Sequence, residues 1–551
     1  MLKLNKNQEH NTMTSCANII SNYVGVYVFI MLVGFPLFVS DKYFMILEDK
    51  FYLFWISTAV VTALSAITGL VFYVKSDKNS RDFKNFNLSD IVRSLRLEDM
   101  FFICFMAVSI ISTVFSEWQY EAFWGNMGRY QGLFLWIWYA AAYVLISRFF
   151  RFRRVYIDVF LIAGAAVALL AITDYFQLDI LGWQGAIDDI DFRSDFSSTI
   201  GNVNSLTAVL GMYLGVSALM FVSEDNKAKS VFYYLITVLM FTALAAAQSD
   251  NALLGIGVLL CFLPFFAWKN RRGFLRYFMV LTAFAGALLL LGILTSLHTG
   301  SVIPEWAFGV LLILSNKAQK LLIPAFTGLI IICLFIYVIM GIQSKKNNKA
   351  ISEYMQGDLS KWFRIAWGIL GIAAFVLLIM MFYDANHGGH PEFFSPLSNI
   401  FIFNDNWGTY RGYNWKLLLG YMSDFNLFNK LFGSGPETYG IYTKVYDYYS
   451  TIDFMQGTLD SPHNEFLQYL FCTGILGVVT YYGGVIVSCI KIFASKFNRI
   501  SAAFAFAVIM YTAQSIINIS APVVTPMAIV LLSIGVNIAY RGEVRLNNKN
   551  E

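Results

Sequence analysis

A chain of 551 residues has room for three or four soluble domains, but 58% of it is hydrophobic and only 13% charged, about half the charged fraction of an ordinary soluble protein. Such a chain cannot clothe its surface in polar groups, so most of its solvent is lipid. Its formal charge of +4, from 39 basic and 35 acidic residues, is too small an excess to imply nucleic acid as a partner.

A spanning helix needs about 20 mostly apolar residues. In chain order, fourteen segments qualify: 19–40, 52–74, 100–116, 131–148, 155–176, 203–223, 231–248, 251–268, 274–297, 322–342, 364–383, 464–490, 500–519 and 521–540. Gln248-Ser249-Asp250-Asn251 separates the seventh from the eighth. Within 301–320, the run Phe308–Ser315 is too short to span and reads as an interfacial or re-entrant helix. If the N-terminus is inside, the inner segments hold 29 of the 39 Lys and Arg residues and the outer ones 10. This is the asymmetry of the positive-inside rule, and an even span number puts both termini in the cytoplasm. No cleavable signal peptide precedes the first span. The six cysteines lie in or beside apolar runs, a pattern that suggests neither a disulfide framework nor a cysteine metal site.

The expected fold is an all-α polytopic membrane protein. Residues 1–383 form a membrane region of about 11 spans, 384–463 a long extracytoplasmic loop, and 464–551 a second membrane region of about 3 spans. The loop is rich in Tyr, Gly, Asn and Asp and carries an amphipathic stretch from Arg411 to Phe425. Loops this long are either functional or disordered, and its aromatic content argues against disorder.

The most specific segment closes that loop: Ser461-Pro462-His463-Asn464-Glu465-Phe466-Leu467-Gln468, continuing to Gly474-Ile475-Leu476-Gly477. Pro462 suits a helix start and leaves His463 where loop meets membrane. Asn464 and Gln468, four apart, share a helical face, and the two glycines permit close helix packing. By itself, a histidine at this boundary reads first as an interfacial hydrogen-bonding residue. The run resembles the His-Asn-x-x-Leu-Gln signature of the O-antigen ligase and O-antigen polymerase superfamily. Three further segments match in order. Gly125-Asn126-Met127-Gly128-Arg129-Tyr130-Gln131-Gly132 is similar to the family's Gly-x-x-x-Arg-x-x-Gly outer loop. Gly201-Asn202-Val203-Asn204 is similar to its Gly-Asn-x-Asn helix start. Arg411, Trp415 and Gly433-Ser434-Gly435-Pro436-Glu437-Thr438-Tyr439 are similar to its Arg…Trp…Gly-x-Gly-Pro stretch. Together they cover about residues 120–480.

The resemblance implies a GT-C-like glycosyltransferase of the bacterial cytoplasmic membrane. Such an enzyme moves glycan from an undecaprenyl-pyrophosphate carrier to an acceptor sugar hydroxyl on the outer face, by inversion and without metal or cofactor. The chemistry suits the residue types. A pyrophosphate leaving group needs charge neutralisation, which the guanidinium fork of arginine supplies; Arg411, Arg129 and Arg193 are the candidates. The hydroxyl needs a base, and histidine titrates in the useful range, so His463 is the catalytic candidate. Asn464, Gln468, Asn202, Asn204 and Trp415 are expected to orient helix or substrate. Implied partners are the lipid-linked donor, the acceptor glycan, membrane lipid, and a flippase and chain-length regulator as candidates.

The chain departs from the family twice. Ser249-Asp250-Asn251 stands where the family often has Ser-Arg-Gly, and Cys472-Thr473-Gly474 where it has Glu-x-Gly. His387-Gly388-Gly389-His390 reads as a flexible loop rather than a metal pair, and Asp188, Asp189, Asp191 and Asp195 as a solvated acidic loop. Polymerisation is preferred to ligation onto lipid, teichoic acid or protein. The alternative of another class is a flippase or transporter, but neither internal repeats nor paired broken spans support it.

Overall fold

The computed structural model describes residues 2–75, 93–125, 128–186, 194–303, 309–390, 392–394, 398–495 and 498–550. In lipid each backbone polar group must be satisfied within its own segment, and every one of the fourteen apolar segments is helical. In order these helices are α1 (Thr14–Leu37), α2 (Ile46–Lys75), α3 (Leu97–Val114), α4 (Leu133–Phe149), α5 (Val155–Tyr175) and α6 (Val203–Ser223). There follow α7 (Lys227–Ala246), α8 (Asn251–Ala267), α9 (Arg271–Leu297), the short α10 (Val310–Lys317), α11 (Gln319–Lys346) and α12 (Lys361–His387). Among the described residues ten helices are long and apolar enough to cross a membrane, with α4, α8 and the last helix as shorter apolar ones. The expected interfacial helix is α10, which packs on α9 and α11.

The long loop folds. Its helices are α13 (Trp407–Asp424), α14 (Leu427–Phe432), α15 (Tyr439–Tyr446) and α16 (Tyr448–Met455). The chain then enters α17 (Glu465–Ala494), α18 (Asn498–Ser515) and α19 (Thr525–Asn550). Leu418, Phe425, Tyr439, Leu459, Phe471 and Cys472 bury one another in a small core that fixes the loop to the head of α17. Regular helix in α13 begins at Arg411, because Gly408, Thr409 and Tyr410 all have positive φ. Its buried positions are Gly412, Asn414 and Leu418, with Lys416, Leu419 and Ser423 outward, the predicted amphipathic pattern.

An apolar helix buried on all sides belongs at the centre of a bundle. That helix is α6, whose apolar window is wholly buried, whereas no residue in those of α11 and α12 is fully buried. Helix α6 packs on α7, α8 and α18, α17 on α3, and α19 on α4 and α18. The connections sort to two ends. At one end Arg148 pairs with Asp99, Arg154 with Glu224, and Lys229 with Asp158 at 3.0 Å. There Asp225 holds both Arg272 (2.6 Å) and Arg499 (3.3 Å) beside a polar cavity of about 210 Å³. The other end gathers 125, 128–132, 198–204, 249–251, 309–310 and the folded loop.

Two expectations need correction. Helix α17 starts at Glu465, three residues after Pro462, with Asn464 as its cap; the Asn464 Oδ1 accepts the Leu467 amide at 2.9 Å. Glycine 474 does not seat a neighbouring span. Its φ of +68° breaks α17, and a Cβ there would lie 2.3 Å from the Leu431 backbone of α14. Among the histidines, His387 is the last residue of α12 and stacks on Tyr383, while His390 Nδ1 lies 3.2 Å from Asp384.

Candidate functional site

The site is built on the broken head of α17. In an unbroken helix the carbonyls of Phe471 and Cys472 would accept amides four residues on. The turn at Gly474 frees them, and they accept the backbone amides of Ser434 (3.1 Å) and Gly435 (3.0 Å) instead. Ser112 Oγ also donates to the Cys472 carbonyl, and Ser116 Oγ to that of Ser434, both at 2.7 Å. Gly433, at φ +79°, is needed for this approach, since a Cβ would lie 2.3 Å from the Cys472 backbone. The Gly-Ser-Gly-Pro turn is thereby pinned to α17 and α3, and it delivers Glu437 over Gln468, whose Nε2 donates to Glu437 Oε1 at 3.2 Å.

A second clamp holds the strand before α17. Asn414 Nδ2 donates to the Ser461 carbonyl and Trp415 Nε1 to that of Pro462, each at 2.8 Å. Trp415 is therefore a scaffold for the His463 segment. His463 has φ +49°, an uncommon conformation for a non-glycine residue that the surroundings must enforce. Arg129 donates from Nε (3.0 Å) and Nη2 (2.5 Å) to Asp460. Arg411 folds its Nη1 back to the Gly408 carbonyl at 2.5 Å, and its buried Nε has no partner.

These groups share one electrostatic field. Burial, then the Arg129 and Arg411 guanidiniums, push the imidazole of His463 down to about 4 against the pull of Asp460. It is neutral at pH 7. Burial would raise Asp460, but the charge and hydrogen bonds of Arg129 hold it below its usual value. Burial lifts Glu437 to about 7 despite Arg129. Burial also lowers Arg411, which Asp250 counteracts. A narrow crevice, too tight in this conformation to hold a water molecule, is lined by Arg129, Glu437, Ser461, Pro462, Asn464, Gln468, Ile519 and Ser520. Such an arrangement can bind a compact anion on its guanidiniums and accept a proton on a carboxylate or imidazole.

Of the residues the sequence singles out, Arg129, Arg411, His463, Asn464, Gln468 and Trp415 come together. Asn202 and Asn204 sit in a neighbouring junction. Asn202 caps α6 by accepting the Asn204 amide at 3.0 Å. Asn204 Oδ1 accepts from Ser249 Oγ (2.6 Å) and Asn251 Nδ2 (3.0 Å), and its carbonyl from Asn518 Nδ2 (3.0 Å). The variant Ser-Asp-Asn turn is thus docked on α6, and Asp250 Oδ1 accepts the first amide of α10 at 2.7 Å. Arg193 lies outside the described residues, as do 126–127 and the acidic run 188–191. Sequence reasoning missed Glu437 and Asp460. Glu437 lay inside a quoted motif, and Asp460 directly precedes the Ser-Pro-His run; adjacency to those motifs was the available signal. Among the described residues no three His, Cys, Asp or Glu side chains gather as metal ligands. Searches against protein-family models and against curated proteins returned no match to this chain.

Proposed function

We propose that this chain is an inverting glycosyltransferase that needs no metal. It joins an acceptor sugar hydroxyl to the anomeric carbon of a glycan carried on undecaprenyl pyrophosphate. One observation carries the reading: Arg129 and Arg411, from segments far apart in sequence, both bear on the same histidine, His463. Arg411 keeps an unpartnered buried Nε, and Arg129 is held by a half-exposed carboxylate that a pyrophosphate can replace. Charge-assisted forks of this kind suit a leaving group that departs as a stable anion. In this reading the carrier pyrophosphate rests on Arg411 and Arg129. His463, neutral at working pH, is the base nominated by the sequence.

The membrane arrangement proposed with it is fourteen spans, both termini cytoplasmic and the site outside. The 29-to-10 partition of basic residues and the sorting of connections to two ends support it. Polymerisation of a surface polysaccharide is the preferred use, with a flippase supplying the donor and a chain-length regulator alongside. Loss of a polymerase leaves single capped repeats, whereas loss of a ligase accumulates long lipid-linked polymer.

The test is transfer by purified Arg411 variants in liposomes, using the lipid-linked glycan that accumulates when the gene is deleted. Arg411→Ala should lose on the order of a hundredfold in rate. Arg411→Lys, which keeps the charge without the fork, should lose less. Full turnover by Arg411→Ala at normal expression refutes the assignment.

A further inference from the structure

One acid in the crevice has no role in that scheme. Glu437 is 4% exposed and stands at φ +59°, on the turn pinned by the carbonyls of Phe471 and Cys472. One carboxyl oxygen accepts from Gln468; the other, Oε2, is buried without a partner, as is Gln468 Oε1. A buried carboxyl oxygen left unpaired costs about 1–3 kcal/mol. The charged and titratable groups that face Glu437 are Arg129 and Asp460, with Cys472 and Tyr139 behind. Arg129 pairs with Asp460 and forms no ion pair with Glu437. Glu437 lines the crevice, and His463 does not.

We propose that Glu437, rather than His463, takes the proton of the acceptor hydroxyl. The assignment rests on the glycosyl-transfer reading above. In the step, the hydroxyl oxygen bonds to the anomeric carbon while its proton passes to Glu437 Oε2. The bond from that carbon to the pyrophosphate oxygen breaks, its electron pair leaving with the pyrophosphate onto Arg411 and Arg129. Glu437 then returns the proton to water. The electrostatics agree with the geometry: burial brings the carboxyl of Glu437 to about 7, while burial, and after it the two guanidiniums, make His463 a weaker base. Bases are most effective when their pKa lies near the working pH. His463 becomes a positioning residue, a neutral group wedged beside the donor arginines.

The experiment compares full-length wild type, Glu437→Gln, Glu437→Asp and His463→Ala in liposomes. It reads single-turnover transfer against pH, and binding of undecaprenyl pyrophosphate. Wild-type transfer should rise with pH through about 7, where the carboxyl ionises. Glu437→Gln should lose on the order of a hundredfold or more in rate and lose that rise, yet still bind undecaprenyl pyrophosphate. Glu437→Asp should recover part of the rate, and His463→Ala should keep the wild-type pH midpoint in whatever activity remains. Three results overturn the assignment alone: wild-type transfer by Glu437→Gln, loss of the pH rise in His463→Ala instead, or loss of pyrophosphate binding in Glu437→Gln. A wild-type protein that transfers no lipid-linked glycan brings down the functional reading, and this assignment with it.

Discussion

Protonation of His463 should be visible as a change in stability. Burial and the guanidiniums of Arg129 and Arg411 hold its folded-state pKa near 4, against 6.5 for a free side chain and despite the nearby Asp460. As pH falls, the unfolded chain takes the proton first. Stability is therefore intact above about 6.5 and is lost progressively down to about 4. At about 1.36 kcal/mol per pH unit, the loss is at most about 3 kcal/mol, less whatever solvent screening at its exposed edge removes. Glu437 works in the opposite direction. Burial raises it from 4.5 to about 7, so the folded state holds its proton longer, and stability falls as pH rises through that window. The two effects overlap and nearly cancel in the wild type, so the informative quantity is a difference. Unfolding free energies of wild type and His463→Gln, from detergent-induced unfolding between about pH 7 and about pH 4, should diverge, with the wild type losing up to about 3 kcal/mol relative to the variant. Parallel curves refute the claim that folding disfavours the charged imidazole. Divergence of the opposite sign would mean that Asp460 dominates over both arginines.

Two further outcomes follow from the clamp and from the topology. Asn414 is buried between the Ser461 carbonyl and the Tyr439 hydroxyl. Asn414→Ala leaves the Ser461 carbonyl without its donor and the Tyr439 hydroxyl with only the Asn414 main-chain carbonyl, and should cost about 1–3 kcal/mol of stability, read by the same unfolding assay; a loss within experimental error would show that the clamp is dispensable. Ser450 is exposed on α16, so Ser450→Cys should react with an impermeant thiol reagent in spheroplasts, and labelling only after permeabilisation would invert the membrane orientation.

The helices were legible because lipid imposes a simple rule: an apolar run of sufficient length must satisfy its own backbone. Asn202 was legible as part of a helix start, but Asn464 was not read as a cap: the sequence placed it inside the helix on one face with Gln468, whereas it caps α17. The break in α17 was not legible either. Glycine is common in spans, and nothing in Thr473-Gly474-Ile475 distinguishes a helix-packing glycine from one with positive φ. Glu437 was hidden for a related reason. A lone glutamate after Gly-Ser-Gly-Pro in a long loop reads as solvated, and only the contact between that turn and α17, nearly 40 residues on in the chain, buries it. Asp250 is the converse case. The sequence marks it as a lost cation, and the structure gives it separate work in capping α10 while its charge bears on Arg411.

The break at Gly474 also bears on how the site holds unlike charges together. Arg129, Arg411, His463, Asp460 and Glu437 come from four separate stretches of chain, and most have their ordinary ionisation opposed by burial. Placing them on loop backbone alone would leave each free to relax towards water. Here the two carbonyls released by the break bind the Gly-Ser-Gly-Pro turn through main-chain amides, an approach that glycine at 433 permits. The Asn414 and Trp415 side chains fix the strand carrying Asp460 and His463 through main-chain carbonyls. The acids and cations are then placed by backbone geometry, so that Arg129 meets Asp460 while Glu437, in the crevice that Arg129 lines, keeps an oxygen free.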